Sequence, residues 1–185
     1  MADEPNSNEL LAVRPAVTAG DAALRLRLRS PWPPFFKIKM EKTELVWLPH
    51  YLFTLRLAHK GNEEKVEAAV DAVAGHFAHW KADKERMESA AGQEFEIGFM
   101  LTPEEARARL IEEYRWVMIA TALKTRKRFE IKDVLPGPRA YYPFFAGYYR
   151  SRHQWRFEVL DAVSGLRQGG KVREALLMGW MGCGD

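Results

Sequence analysis

Between residues 102 and 124 apolar side chains recur at steps of three and four: Ala106, Leu110, Ile111, Tyr114, Val117, Met118 and Ala122 share a stripe. Arg107, Arg109, Glu112, Glu113 and Arg115 fall mostly outside it, the pattern of an amphipathic helix. Thr102-Pro103-Glu104-Glu105 opens the stretch with an N-cap hydroxyl, proline at the first helical position and glutamate at the third, a capping box that satisfies orphan amides of the first turn. The spacing predicts a helix to about Lys124.

The period then changes to two. Residues 128–134 alternate, Phe129 and Ile131 against Arg128, Glu130 and Lys132, until Pro136-Gly137-Pro138 interrupts them. Residues 141–149 are aromatic on both faces, and after a turn at 151–154 the chain returns as 155–163, with Trp155, Phe157, Val159 and Val163 on one side. A three-stranded meander following a helix is expected.

The same order occurs earlier. Thr18-Ala19-Gly20-Asp21-Ala22 opens a short helix, 35–41 alternates, 45–57 reads as a long strand and 65–73 as its return. Trp47-Leu48-Pro49-His50-Tyr51 stands where Tyr141-Tyr142-Pro143-Phe144-Phe145 does, and Val70-Asp71-Ala72-Val73-Ala74-Gly75 mirrors Leu160-Asp161-Ala162-Val163-Ser164-Gly165. One helix covers only one face of a small sheet, so two such units must pack together. The expected fold is therefore α+β: two helix-plus-three-stranded antiparallel meander repeats with pseudo-two-fold symmetry. Residues 1–15 form a mobile tail, 16–101 the first repeat, and 102–185 the second with a C-terminal helix at 171–181, the whole making one globular domain. Pro49 and Pro143, unable to donate to a ladder, mark bulges or edge positions.

Capped helix, strands and a closing Asp-Ala-x-x-Gly resemble the PepSY domain. Thr102-Pro103-Glu104-Glu105-Ala106 looks like its helix opening and Asp161-Ala162-Val163-Ser164-Gly165 like its last strand and turn. The resemblance extends over residues 18–75, which makes a tandem pair. It implies an inhibitory or protein-binding role rather than chemistry.

Composition narrows the classes. The 185 residues are 47% hydrophobic and 29% charged, ordinary for a folded chain. Residues 1–8 hold neither the basic nor the apolar region of a secretory signal, and the single cysteine, Cys183, suits a reducing compartment, so a cytoplasmic location is expected. No apolar run is long enough for a spanning helix. Charge is uneven: the net +3 resolves into 12 basic against 4 acidic residues between Lys124 and Arg173, a patch able to steer acidic partners.

Catalytic signals are weak. Asp71 and Asp161 precede glycine turns, where aspartate bonds nearby amides. His76-x-x-His79 offers two metal ligands only on a helix, with no third at a recognisable spacing. Gly169-Gly170-Lys171 lacks the other positions of a phosphate loop. No catalytic residue, metal or cofactor is expected. The strongest anomaly is the aromatic strand. Either it is buried between layers, or it forms a binding face in which Tyr142, Phe144 and Tyr148 are flanked by Arg150, Arg152 and Arg156. The expected function is a non-enzymatic module recognising a protein partner through this aromatic and basic sheet surface. Nucleic-acid binding by the basic half is the alternative.

Overall fold

The computed structural model describes residues 9–27, 39–60, 62–80, 82–126, 128–151 and 154–182. Over these residues the chain is a mixed α+β protein with three helices and one seven-stranded sheet. The strands are β1 (Leu10–Val13), β2 (Lys39–His59), β3 (Asn62–Asp71), β4 (Phe77–His79), β5 (Met87–Ser89), β6 (Glu130–Ser151) and β7 (Gln154–Asp161). The helices are α1 (Ala19–Leu26), α2 (Pro103–Thr125) and α3 (Gly170–Gly182). The capping box at Thr102 forms as expected, and Thr18 caps α1 in the related way.

The expected meanders are hairpins instead. Residues 128–134 and 141–149 were read as two strands, but from Glu130 onward they belong to the continuous β6. The segment expected at 35–41 lies partly outside the described residues, and from Lys39 it runs straight into β2. Pro136-Gly137-Pro138 does not end β6 because its missing donors fall at a bulge: the rungs Tyr51–Arg139 and Phe53–Pro136 bracket one extra residue on β6. There a β-carbon on Gly137 would stand 3.1 Å from the Leu52 carbonyl oxygen, so the close approach requires glycine. A second departure is β1. Residues 10–13, placed in a tail, pair in parallel with β6 and antiparallel with β5, burying Ala12 and Val13.

β2 and β6 pair antiparallel along nearly their whole length, and Leu48 faces Tyr142. Each carries a shorter partner, β3 on β2 and β7 on β6. Pro49 and Pro143 sit one residue beyond the last rungs of those hairpins, His50–Asp71 and Phe144–Asp161. Their carbonyls still accept the amides of Ala72 (2.8 Å) and Ala162 (3.1 Å), while the absent N–H falls where the neighbouring strand turns away.

Both hairpins end in turns built alike. Asp71 Oδ1 accepts the amides of Val73, Ala74 and Gly75, at 3.1, 2.6 and 3.2 Å, and Oδ2 that of His76 at 2.7 Å. Asp161 Oδ1 accepts those of Val163 (2.7 Å) and Ser164 (3.0 Å). The turns close on Gly75 and Gly165 at φ +82° and +70°, a region open to glycine at little cost. Each turn also anchors a helix. The carbonyl of Ala72 accepts the amides of Met100 and Leu101, which lead into α2, and that of Ala162 accepts the amides of Ala16 and Val17, which lead into α1.

The helices thereby change sides. α2 follows the first hairpin and covers it, setting Ala106, Leu110 and Tyr114 against Tyr51, Phe53, Leu55, Ala68 and Val70. α1 precedes that hairpin yet packs on the second, with Ala22 and Leu26 against Phe145, Leu160 and Ala162. α3 covers the other face of β6 and β7, Ala175 and Leu176 meeting Phe144, Ala146 and Val159.

Because Asp71 is buried and serves four amides while the half-buried Asp161 serves two, the two turns differ in cost. Asp71→Ala is expected to destabilise by ~3–4 kcal/mol and Asp161→Ala by ~1–2 kcal/mol, read as urea midpoints at unchanged m-value. Equal and small losses would show that the carboxylates do not hold the turns.

Candidate functional site

The expected partner surface divides. Phe144 is buried beneath α3, and Tyr142 and Tyr148 are half-covered. Tyr148 donates to Glu44 and packs near Trp180, so this row is largely interior, the result of two-sided burial of a central strand. Arg150 and Arg156 are exposed, with the Arg150 guanidinium 6.0 Å from the ring centre of the exposed Trp155. Arg152 and Cys183 lie outside the described residues.

Under the sheet centre lies a group of polar and aromatic side chains that the sequence did not bring together. His50, Trp80 and Tyr142 have ring centres 5.5–6.2 Å apart. The buried His50 donates from Nδ1 to the Leu48 carbonyl at 2.8 Å. Burial holds its imidazole below the ordinary value, against the opposing pull of Asp71. Tyr142 donates to both carboxylate oxygens of Asp161 at 3.1 and 3.2 Å. Burial, and then the Asp161 charge, push that phenol up. Asp71 is committed to its turn and His50 Nδ1 to a carbonyl, so both groups are engaged in the fold. His76 Nε2 lies 3.3 Å from Glu174 Oε2, and the His79 ring packs on Phe77 and Tyr114. Among the described residues no three His, Cys, Asp or Glu side chains are placed to hold a metal ion.

The exposed anomaly is on α2. Ala106, Leu110 and Tyr114, and further along Val117 and Met118, seat one face of this helix on the core, while its opposite face in the second half is apolar and open. Trp116, Ile119 and Leu123, at steps of three and four, are 69%, 50% and 81% exposed. Beside them is a groove of about 470 Å³ lined by Arg115, Met118, Ala122, Arg128 and Phe129. Between Tyr114 and Phe129 the sequence holds five basic residues and no acidic one. Periodicity assigns Val117, Met118 and Ala122 to the core-facing side, where Val117 and Met118 do pack, and passes over the opposite stripe; the acid-free stretch around it is the available signal. No helix among the described residues is long and apolar enough to cross a membrane.

The His50 shift fixes a pH dependence. Its folded value lies below the ordinary 6.5, so unfolded chains take a proton that native ones refuse. Stability is then full above pH 6.5 and falls as pH drops toward the lower folded value, by at most ~1.4 kcal/mol per pH unit. His50→Asn, which keeps a donor toward Leu48, should flatten that slope in urea titrations at acidic and neutral pH. An unchanged slope would assign it to other groups.

Comparison of the chain with protein-family models, curated proteins and solved structures found no match, which leaves its function to be argued from this geometry.

Proposed function

We propose that this chain is a non-enzymatic binding module whose partner is a protein segment carrying apolar side chains amid acidic ones. The observation that carries this reading is the Trp116, Ile119 and Leu123 stripe on the outward face of the second half of α2. Ile119 and Leu123 line the groove together with Arg115 and Arg128, Trp116 stands exposed on the same stripe, and tryptophan and arginine are residues that concentrate binding energy at protein interfaces. The ring of Arg115, Lys124, Arg126 and Arg128 favours an acidic occupant and repels a basic one. Branched aliphatic groups between the cations suit a protein better than stacked bases, so the nucleic-acid reading takes second place.

The frame supporting this surface is, in the same proposal, a duplicated helix-plus-hairpin unit, in keeping with the tandem PepSY-like order. Three features support it: the similar aspartate turns, the capping threonines ahead of α1 and α2, and the β2–β6 register. In that register Pro49 and Pro143, and likewise Leu48 and Tyr142, stand 94 positions apart, and Leu48 pairs with its own counterpart. A two-fold axis through that rung would exchange the Trp47–Pro143 and Pro49–Tyr141 rungs.

A photo-crosslinking residue at position 123, compared with one at the likewise exposed Leu166, tests the surface in extract of the native host. An acidic protein captured from position 123 alone is expected, with affinity falling about tenfold or more for Leu123→Glu. Identical capture from both positions, or crosslinks to nucleic acid only, would reject the reading.

A further inference from the structure

The outermost strands of the order β4-β3-β2-β6-β1-β5 are joined by a short link that includes the 3-10 turn Lys84–Arg86. Laid flat, six strands at ~4.8 Å spacing would hold those edges ~24 Å apart. The link and the packing bring them together: Trp80, just past β4, and Met87, at the start of β5, pack in one cluster with Leu11 and Leu52. The sheet is thus curled around a cluster in which the buried Ala69 and Ala140 pack with Leu52. The bulge at Gly137 and Pro138 opens one wall. A hollow of about 340 Å³ results, roughly twice the ~150 Å³ that accepts one benzene ring.

We infer that this hollow is a binding site for a small amphiphilic amine: a flat apolar body of about two fused rings carrying one protonated nitrogen. The apolar walls are Leu11, Leu52, Trp80 and Met87, and concave apolar pockets in the mouths of curled sheets are where small ligands lodge. The polar choice is set by the rim, where Glu9 and Glu67 face a single Lys84. Among the described residues none of these three has an ion-pair partner, so the mouth carries net negative charge. The indole of Trp80 in the wall is of the ring type that attracts a cation most strongly. The Thr54 hydroxyl, also at the wall, can accept from an ammonium. This site lies apart from the α2 stripe and shares no lining residue with its groove.

Calorimetric titration of the full chain with tryptamine, tryptophol and indole-3-propionate tests the inference, since these probes share one ring system and differ in charge. Tryptamine is expected to bind about tenfold or more tightly than indole-3-propionate, with tryptophol between. The double variant Glu9→Gln, Glu67→Gln should erase that ranking. Leu11→Trp, which fills the hollow, should abolish binding of all three. If that variant does not fold, the wild-type protein still decides through NMR: tryptamine should shift the Trp80 indole and Met87 methyl signals ahead of all others. No heat from any probe up to millimolar concentration, a preference for the propionate, or shifts centred elsewhere would overturn the inference.

Discussion

The pairing of β2 with β6 is the constraint on which the rest of the molecule depends. Rungs run from Lys39–Arg150 to Ala58–Glu130, and because side chains alternate across a sheet, this one register decides what every layer receives. It sends Tyr51, Phe53 and Leu55 toward α2 and His50 and Leu52 to the opposite side. A slip of one residue would bring His50 under an apolar helix and leave Tyr51 without its bond to the Leu101 carbonyl. Three register shifts, between Met40 and Lys42, Tyr51 and Phe53, and Arg56 and Leu57, absorb the extra residues without exchanging the faces overall.

With the register fixed, the apolar area of the two halves is allotted unevenly. α3 covers Phe144, Ala146 and Val159, so the most aromatic stretch of the sequence becomes interior. α2 packs one face on the first hairpin and leaves Trp116 and Leu123 of the other in solvent. The curl closed by β1, β4 and β5 does not fill, and a hollow remains between Leu11, Leu52, Trp80 and Met87. A buried strand, a helix with an apolar outward stripe and an unfilled hollow stand on the same few strand pairings.

The sequence revealed those features governed by local chemistry. The Thr102 capping box, the helix to Thr125 and the aspartate turns at 71 and 161 are decided within a few residues, and each was legible. The strand count was not. Pro136-Gly137-Pro138 reads locally as a break, and only the close approach of Leu52 makes it a bulge. Residues 10–13 offer four apolar positions after a polar opening, too few for a period, and it is the edge of β6 that makes them a strand. The site was half legible for a related reason. Aromatic and arginine residues mark a surface only if nothing covers them, and whether α3 lies over Tyr148 or Leu123 of α2 stays uncovered is a tertiary matter.

The exchange of helices has a consequence for how the chain is made. Leu26 of α1 presents its carbonyl to the Tyr149 hydroxyl, and Arg25 donates to the Gly165 carbonyl, 140 positions along the chain. Contacts so distant cost loop-closure entropy before they return anything. On a ribosome the leading helix emerges long before its seat exists, so the first hairpin must assemble with α2 while α1 waits in solvent. The seat of α1 therefore exists only after β6 and β7 have been made.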